Sequence, residues 1–271
     1  MADQAISLDG QVAVITGSTR GIGRAIAERF GRVGAQVVVS SSQPTAVELA
    51  TTELTAQGLR CIGVVCDVAD RQQVERLRDQ AIAAFGKIDI WVNNAGISGP
   101  FGYTLDVPPT DWEQVIRVNV LGTYHGSTLV LPHMIERRYG KLINLSGGGA
   151  KRAQRFLNAY STSKAAIERL TQGLARDYKD HSYLSINVLT PGIVPTDMTD
   201  FQGTHVVGPG AAALKAFPRI MKIFGTTAEE TAELALRLAS KETDRISGKI
   251  FEIMPRHRAI WRIIRAALGR R

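Results

Sequence analysis

The sequence predicts an α/β fold: a single domain on a doubly wound parallel sheet of about seven strands, with helices on both faces. Three observations predict it. Short apolar runs alternate with helix-period segments along almost the whole 271-residue chain, and strict β–α alternation yields parallel strands joined by right-handed crossovers. No linker, repeat or low-complexity stretch interrupts that rhythm. The first strand runs into a glycine-rich turn that opens a helix, an arrangement suited to holding a phosphate.

The elements follow in order. Residues 12–16 read as the first strand, 22–33 as an amphipathic helix and 36–40, with Val37-Val38-Val39, as the second strand. A helix over 45–57, a strand over 60–65, a helix over 71–85 and a strand over 88–92 come next, each distinguished by its hydrophobic period. The remainder continues with helix 111–138, strand 141–145, helix 158–179, strand 184–189, helix 227–240 and strand 249–253. One connection breaks the pattern. Residues 197–225 hold Gly203, Gly208, Pro209, Gly210 and Pro218 after a strand, and a long connection there reads as a substrate lid.

Composition narrows the classes. With 44% hydrophobic and 21% charged residues, the chain has the balance of an ordinary soluble globular protein. No apolar run reaches the roughly 20 residues needed to span a bilayer, and the start lacks a secretory pattern, so the cytoplasm is expected. Cys61 and Cys66, five apart on or beside a strand, point to opposite faces and are expected as inert thiols without a local disulfide. No metal-ligand spacing is present. The formal charge is +8, but residues 256–271 carry six arginines and no acid, leaving +2 for the rest. That balance speaks against nucleic acid as a partner of the main body.

Two motifs carry chemistry. Thr16-Gly17-Ser18-Thr19-Arg20-Gly21-Ile22-Gly23 follows the first strand. Gly17 permits the tight turn, Gly21 lets backbone approach a pyrophosphate, and Gly23 lets the helix pack close to the strand. Further along, Tyr160 and Lys164 stand four apart on a helix and share a face. A nearby ammonium stabilises a phenolate and draws the tyrosine toward use as an acid/base.

With the TGxxxGIG turn and Tyr160-xxx-Lys164, the chain resembles the short-chain dehydrogenase/reductase superfamily, of the 3-oxoacyl-reductase-like, single-domain Rossmann type. The matches continue through Asp67-Val68, Asn93-Asn94-Ala95-Gly96, Asn119, Pro191-Gly192 and Thr196, over residues 8 to about 253. The resemblance implies a nicotinamide cofactor held by Gly17, Ser18, Thr19, Arg20, Gly21, Ile22 and Gly23. Asp67 and Val68 would lie near the adenine, Asn93, Asn94, Ala95 and Gly96 along the cofactor cleft, and Pro191, Gly192, Ile193 and Thr196 at the carboxamide end. Lys164 would also hold the ribose hydroxyls, and Asn119 would join a water relay to Lys164. A homodimer or homotetramer is implied as well.

The cofactor type is argued from charge. A site selective for NAD(H) places a carboxylate at the end of the second strand. Ser40, Ser41 and Ser42 stand there instead, and Arg20 can meet a 2′-phosphate. NADP(H) is expected, with NAD(H) left open.

The carbonyl-polarising serine of the family lies thirteen residues before the tyrosine, and here that position is Gly147. Either a one-residue insertion between 148 and 157 restores Ser146 as the donor, the expectation adopted here, or a backbone amide of the glycine run replaces it. Ser98, Phe101, Tyr103, Phe156 and the lid are expected to line a pocket for a hydrophobic carbonyl or alcohol. The leading function is an NADP(H)-dependent alcohol–ketone oxidoreductase; the alternative is a nicotinamide-binding sensor or docking protein with weakened catalysis. Beyond the family pattern, the tail 256–271 reads as a basic amphipathic helix. Ile260, Ile263, Ile264, Ala267 and Leu268 oppose Arg258, Arg262 and Arg265. The tail is suited to an anionic membrane surface or to docking on protein.

Overall fold

The computed structural model describes residues 6–200, 206–215, 217–255, 258, 260–262 and 264. At its centre a seven-stranded parallel sheet runs in the order β3-β2-β1-β4-β5-β6-β7. The strands are β1 Val12–Ile15, β2 Gln36–Ser41, β3 Cys61–Val65, β4 Ile90–Asn93, β5 Gly140–Leu145, β6 Leu184–Thr190 and β7 Ile250–Glu252. The chain winds outward from β1 to β3, then returns to lay β4 on the other side of β1. That reversal opens a crevice at the carboxyl ends of the strands, where such sheets bind ligands.

Period-2 alternation builds two cores. Ala13, Ile15, Val37, Val39, Ile143 and Leu189 face helices α1 (Gly21–Arg32), α2 (Pro44–Ala56) and α10 (Ala228–Ala239). Val14, Val38, Trp91, Leu142 and Ile186 face α3 (Arg71–Phe85), α5 (Gly122–Glu136) and α6 (Asn158–Asp177). Sheets buried on both faces read as continuous apolar runs, as these strands do. Local chemistry sets the helix ends. Asp70 caps α3 by accepting the amides of Gln72 and Gln73, and Thr227 with Glu230 forms a capping box on α10. The amino-terminal edge of the sheet is closed by charge pairs. Asp89 accepts the Val12 amide at 2.9 Å and meets Lys87 at 2.9 Å and Arg137 at 3.3 Å.

Two expectations change. The single helix expected over 111–138 is α4 (Pro109–Val115), a π-helical segment Ile116–Leu121, and α5. The π-helical segment contains Asn119, and such insertions recur at functional sites. The connection 197–225 is more ordered than its composition suggests: it carries α7 (Asp197–Asp200), α8 (Gly210–Leu214) and α9 (Phe217–Phe224). Residues 201–205 and 216 of that connection lie outside the described residues, as do Arg256, Ile263, Arg265, Ala267 and Leu268 of the tail. Cys61 and Cys66 are free and sit on opposite faces; Cys61 is only half-buried, while burial pushes the Cys66 thiol up to about 12. Among the described residues no helix is long and apolar enough to cross a membrane, and no group of metal-ligating side chains converges.

Candidate active site

The glycine turn is held from both sides. Thr16 Oγ1 accepts the amides of Asn94 and Ala95 at 3.0 and 3.1 Å, and Asn94 Nδ2 donates to the carbonyls of Thr16 and Gly17 at 2.9 and 2.8 Å. A Cβ on Gly17 would stand 2.8 Å from Ala95 Cα, and one on Gly23 2.4 Å from the Gly17 carbonyl oxygen. These contacts account for glycine at both positions. Gly21, at φ +56°, faces Thr196, whose Cγ2 would lie 3.1 Å from an added Cβ. The first turn of α1 carries no acidic residue, so its unpaired amides and helix dipole suit an anion in the crevice. Arg20 Nη1 lies 2.5 Å from Asp197, both side chains being exposed.

Not every expected cofactor residue offers its side chain. Ser18 is fully buried; its hydroxyl donates to the Ile15 carbonyl at 2.6 Å and accepts the Ser40 amide at 3.0 Å, so it braces β1 against β2. Asn93 is buried as well. It donates to Asn144, Ser127 and the Thr123 carbonyl and accepts from Trp91, pinning β4 to β5 and α5 rather than lining a cleft. Asp67 accepts the Ala69 amide at 3.0 Å, while the Val68 carbonyl meets the His125 ring at 3.0 Å. Ser41 accepts the Gln43 amide at 3.3 Å and Ser42 is exposed beside it. Pro191, Gly192 and Ile193 are held by Thr226: its hydroxyl donates to the Pro191 carbonyl at 2.8 Å and its amide to that of Ile193 at 2.9 Å.

Tyr160 and Lys164 converge with Asn119. Lys164 is buried, and its Nζ donates to the Leu145 carbonyl at 3.2 Å and lies 5.5 Å from the centre of the Tyr160 ring. Asn119 Nδ2 donates to Ile97 O and Ser163 Oγ, and its Oδ1 accepts the Ile97 amide at 2.8 Å. A Cβ on Gly96 would meet Asn119 Oδ1 at 3.1 Å and Lys164 Nζ at 3.6 Å, so these three residues share one pocket wall. Burial pushes the Tyr160 phenol up to about 12 and the Lys164 ammonium down to about 8. Both shifts disfavour the charged form, so at neutral pH the phenol holds its proton; burial outweighs the downward pull expected from Lys164 alone.

Ser146 is not where it was expected. It is buried and donates to Glu168 at 3.1 Å and to the Lys164 carbonyl at 3.3 Å, beneath α6. Gly147 faces the phenol instead: an added Cβ there would stand 2.4 Å from Tyr160 Oη. The reason is strand parity. The Ser146 amide donates to Leu189 and continues the β5–β6 pairing one residue past β5. Ser146 therefore points the same way as Leu142 and Asn144, toward α6. The glycine run does not shift the register.

Phe101, Tyr103 and Phe156 form one aromatic cluster, with Phe156 5.5 Å from Phe101 and 5.1 Å from Tyr103 between ring centres. Arg155 lies over Phe156 and donates to the Tyr103 hydroxyl at 2.7 Å. The connection after β6 joins this cluster through an isolated bridge between Phe101 and Val206. Sequence reasoning missed Glu168, Ser163, Thr226, Asp197 and Arg155. Only Glu168 carried a signal, standing one helical turn beyond Lys164.

Comparison with known proteins agrees with this geometry. The family model described as short chain dehydrogenase matches residues 11–206. Glucose 1-dehydrogenase 2 of Bacillus subtilis is 34% identical over 89% of this chain and 92% of that protein. The 7alpha-hydroxysteroid dehydrogenase of Escherichia coli is 31% identical over 92% of this chain and 94% of its own length. Among solved structures, a gluconate 5-dehydrogenase from Burkholderia cenocepacia in complex with NADP and tartrate superposes with a TM-score of 0.81. It is 29% identical and covers 91% of this chain and 94% of its own.

Proposed function

The chain belongs to the short-chain dehydrogenase family, and from that premise we propose an NADP(H)-dependent enzyme that interconverts a hydrophobic ketone and its secondary alcohol. An NAD(P)-dependent oxidoreductase acting on CH–OH groups is the coarser statement that the relatives establish. The observation that carries the alcohol–ketone chemistry is the convergence of half-buried Tyr160 with buried Lys164 and Asn119 beside the glycine turn.

The residues present fit a dinucleotide, because the start of α1 has neither a side-chain cap nor an acidic residue, and the glycine turn leaves no room for a Cβ beside Ala95 or Thr196. Arg20 would meet a 2′-phosphate in place of Asp197, and the absence of a carboxylate at Ser41 and Ser42 favours NADP(H). When bound, the nicotinamide ring supplies or accepts the hydride. The chain's own residues handle the proton. Tyr160 donates from Oη to the carbonyl oxygen in reduction and takes the proton back in oxidation. Lys164 stabilises the phenolate and holds the ribose hydroxyls, while Asn119 anchors the path by which the proton is replaced. The donor opposite Tyr160 is assigned to the backbone amides of Gly147 and Gly148, for which no protein acceptor is found among the described residues. An amide can serve as an oxyanion donor.

Phe101, Tyr103 and Phe156 support a hydrophobic substrate, with residues 197–225 acting as the lid and the enzyme working as a homodimer or homotetramer. The test is turnover of a panel running from cyclic and steroid ketones to sugar acids, with NADPH and NADH, by the wild type and by Tyr160→Phe. Consumption of NADPH on apolar ketones, lost in the variant, is expected. Turnover unchanged in the variant overturns the assignment. A second reading, a nicotinamide-binding sensor, is favoured by Gly147 alone and would be supported by tight NADPH binding without turnover of any ketone.

A further inference from the structure

Helix α9 has no buried residue, although five of its eight positions are Phe, Ile or Met. Ile220 is 41% exposed, and from the carboxyl-terminal segment Ile260, Trp261 and Ile264 are 57, 56 and 50% exposed. The two segments are fastened together. Arg262 Nη1 donates to the carbonyls of Gly225 at 2.6 Å and Ile223 at 3.4 Å, at the end of α9. Arg219, Lys222 and Arg258 are exposed on the same two segments, and Lys215 is exposed at the end of α8 just before α9. Among the described residues of 206–228 and 253–264 the charged side chains are Lys215, Arg219, Lys222, Arg258 and Arg262, with no Asp or Glu.

We infer that this face, made jointly by α9 and the described residues Arg258, Ile260, Trp261, Arg262 and Ile264, docks on an anionic phospholipid surface. Exposed aliphatic and tryptophan side chains suit the headgroup–acyl boundary, and the cations suit the negative surface potential. A second copy is a poor occupant, because a two-fold interface would set this acid-free patch against itself. A nucleic acid would satisfy the cations but leave the apolar side chains uncovered. Gly225, which receives Arg262, is also bridged to Ile193, so the docked face is tied to the edge of the active-site crevice. The inference does not depend on which reaction the enzyme performs.

The full-length protein is sedimented with vesicles of phosphatidylcholine, with and without phosphatidylglycerol. Binding at least about tenfold tighter to the anionic vesicles, weakened by salt, is expected. The double variant Trp261→Glu/Ile264→Glu and, separately, Ile220→Glu should each lower it about tenfold, with NADPH binding and melting temperature serving as checks on folding. Equal binding to both vesicle types, or unchanged binding by both folded variants, overturns the proposal. Loss of an oligomer in the variants, without vesicle binding by the wild type, would assign the face to a second copy. Binding of RNA by all forms, without vesicle binding, would assign it to nucleic acid.

Discussion

Two buried lysines stand at opposite ends of the same strand, and their surroundings differ in kind. Lys141, near the start of β5, reaches Asp244 at 2.6 Å and the hydroxyls of Ser185 and Thr243. Lys164 sits over the other end, where its ammonium meets the Leu145 carbonyl and pairs with none of the described carboxylates. A buried cation with a counter-ion closes a structure, whereas one without is costly and is kept for another purpose. The amino-terminal end of this sheet is satisfied by its own residues. The carboxyl-terminal end is built from glycine, backbone amides and an uncompensated ammonium.

The largest expected effect separates the two ends by activity. Lys164→Met should lower kcat/KM by about 10²–10⁴-fold, whereas Lys141→Met should stay within about threefold and lower the melting temperature instead; equal losses would break the contrast. Stability against pH separates them next. The folded pKa of Lys164 lies near 8, below its ordinary value, so below pH 8 both folded and unfolded chains carry the proton and the burial cost is complete. As pH rises from 8 toward ~10.4 the unfolded chain binds more protons, and stability increases. Lys164→Met should therefore be more stable than the wild type at pH 7, by on the order of 3 kcal/mol, with the gap closing by pH 10 in urea melts.

Smaller effects sharpen the open end. Arg20→Ala should raise KM for NADPH about thirtyfold and leave that for NADH nearly unchanged, since a charge-assisted contact to phosphate is lost. A matched rise for both cofactors would return Arg20 to its pair with Asp197. Gly147→Ser puts a Cβ 2.4 Å from Tyr160 Oη, so the phenol must move, and should lower kcat by about tenfold; an unchanged or raised kcat would show that a hydroxyl donor fits there without displacing it. Ser146→Ala should change kcat by less than about threefold while costing about 1 kcal/mol of stability through the lost bond to Glu168.

Much of the site was legible because its signals are local. The TGxxxGIG turn is recognisable through glycines whose Cβ atoms would collide with Ala95 and with the turn itself. Ser18 and Asn93 were harder to read. Short polar residues in a cofactor motif can serve the cofactor or the scaffold, and only their partners, Ser40 for one and Asn144 for the other, decide between the two. The order within 197–225 was hidden for a related reason: glycine and proline mark breaks but do not forbid short helices between them. Arg155, expected nowhere, stands over the aromatic cluster because the loop before α6 folds back onto Tyr103.

By itself the sequence determined the strand–helix alternation, the glycine-rich turn after the first strand and the shared face of Tyr160 and Lys164. Each depends on spacing within one element, where a period of two or of 3.6 residues suffices. Only the tertiary structure decided whether Ser146 or Gly147 faces the phenol. That depends on how far β5 remains paired with β6, and the single bond from the Ser146 amide to Leu189 settles it. One residue along the chain decides which group meets the phenol: the hydroxyl lies against Glu168, farther into α6, and the glycine lies against Tyr160 at the amino-terminal end of that helix.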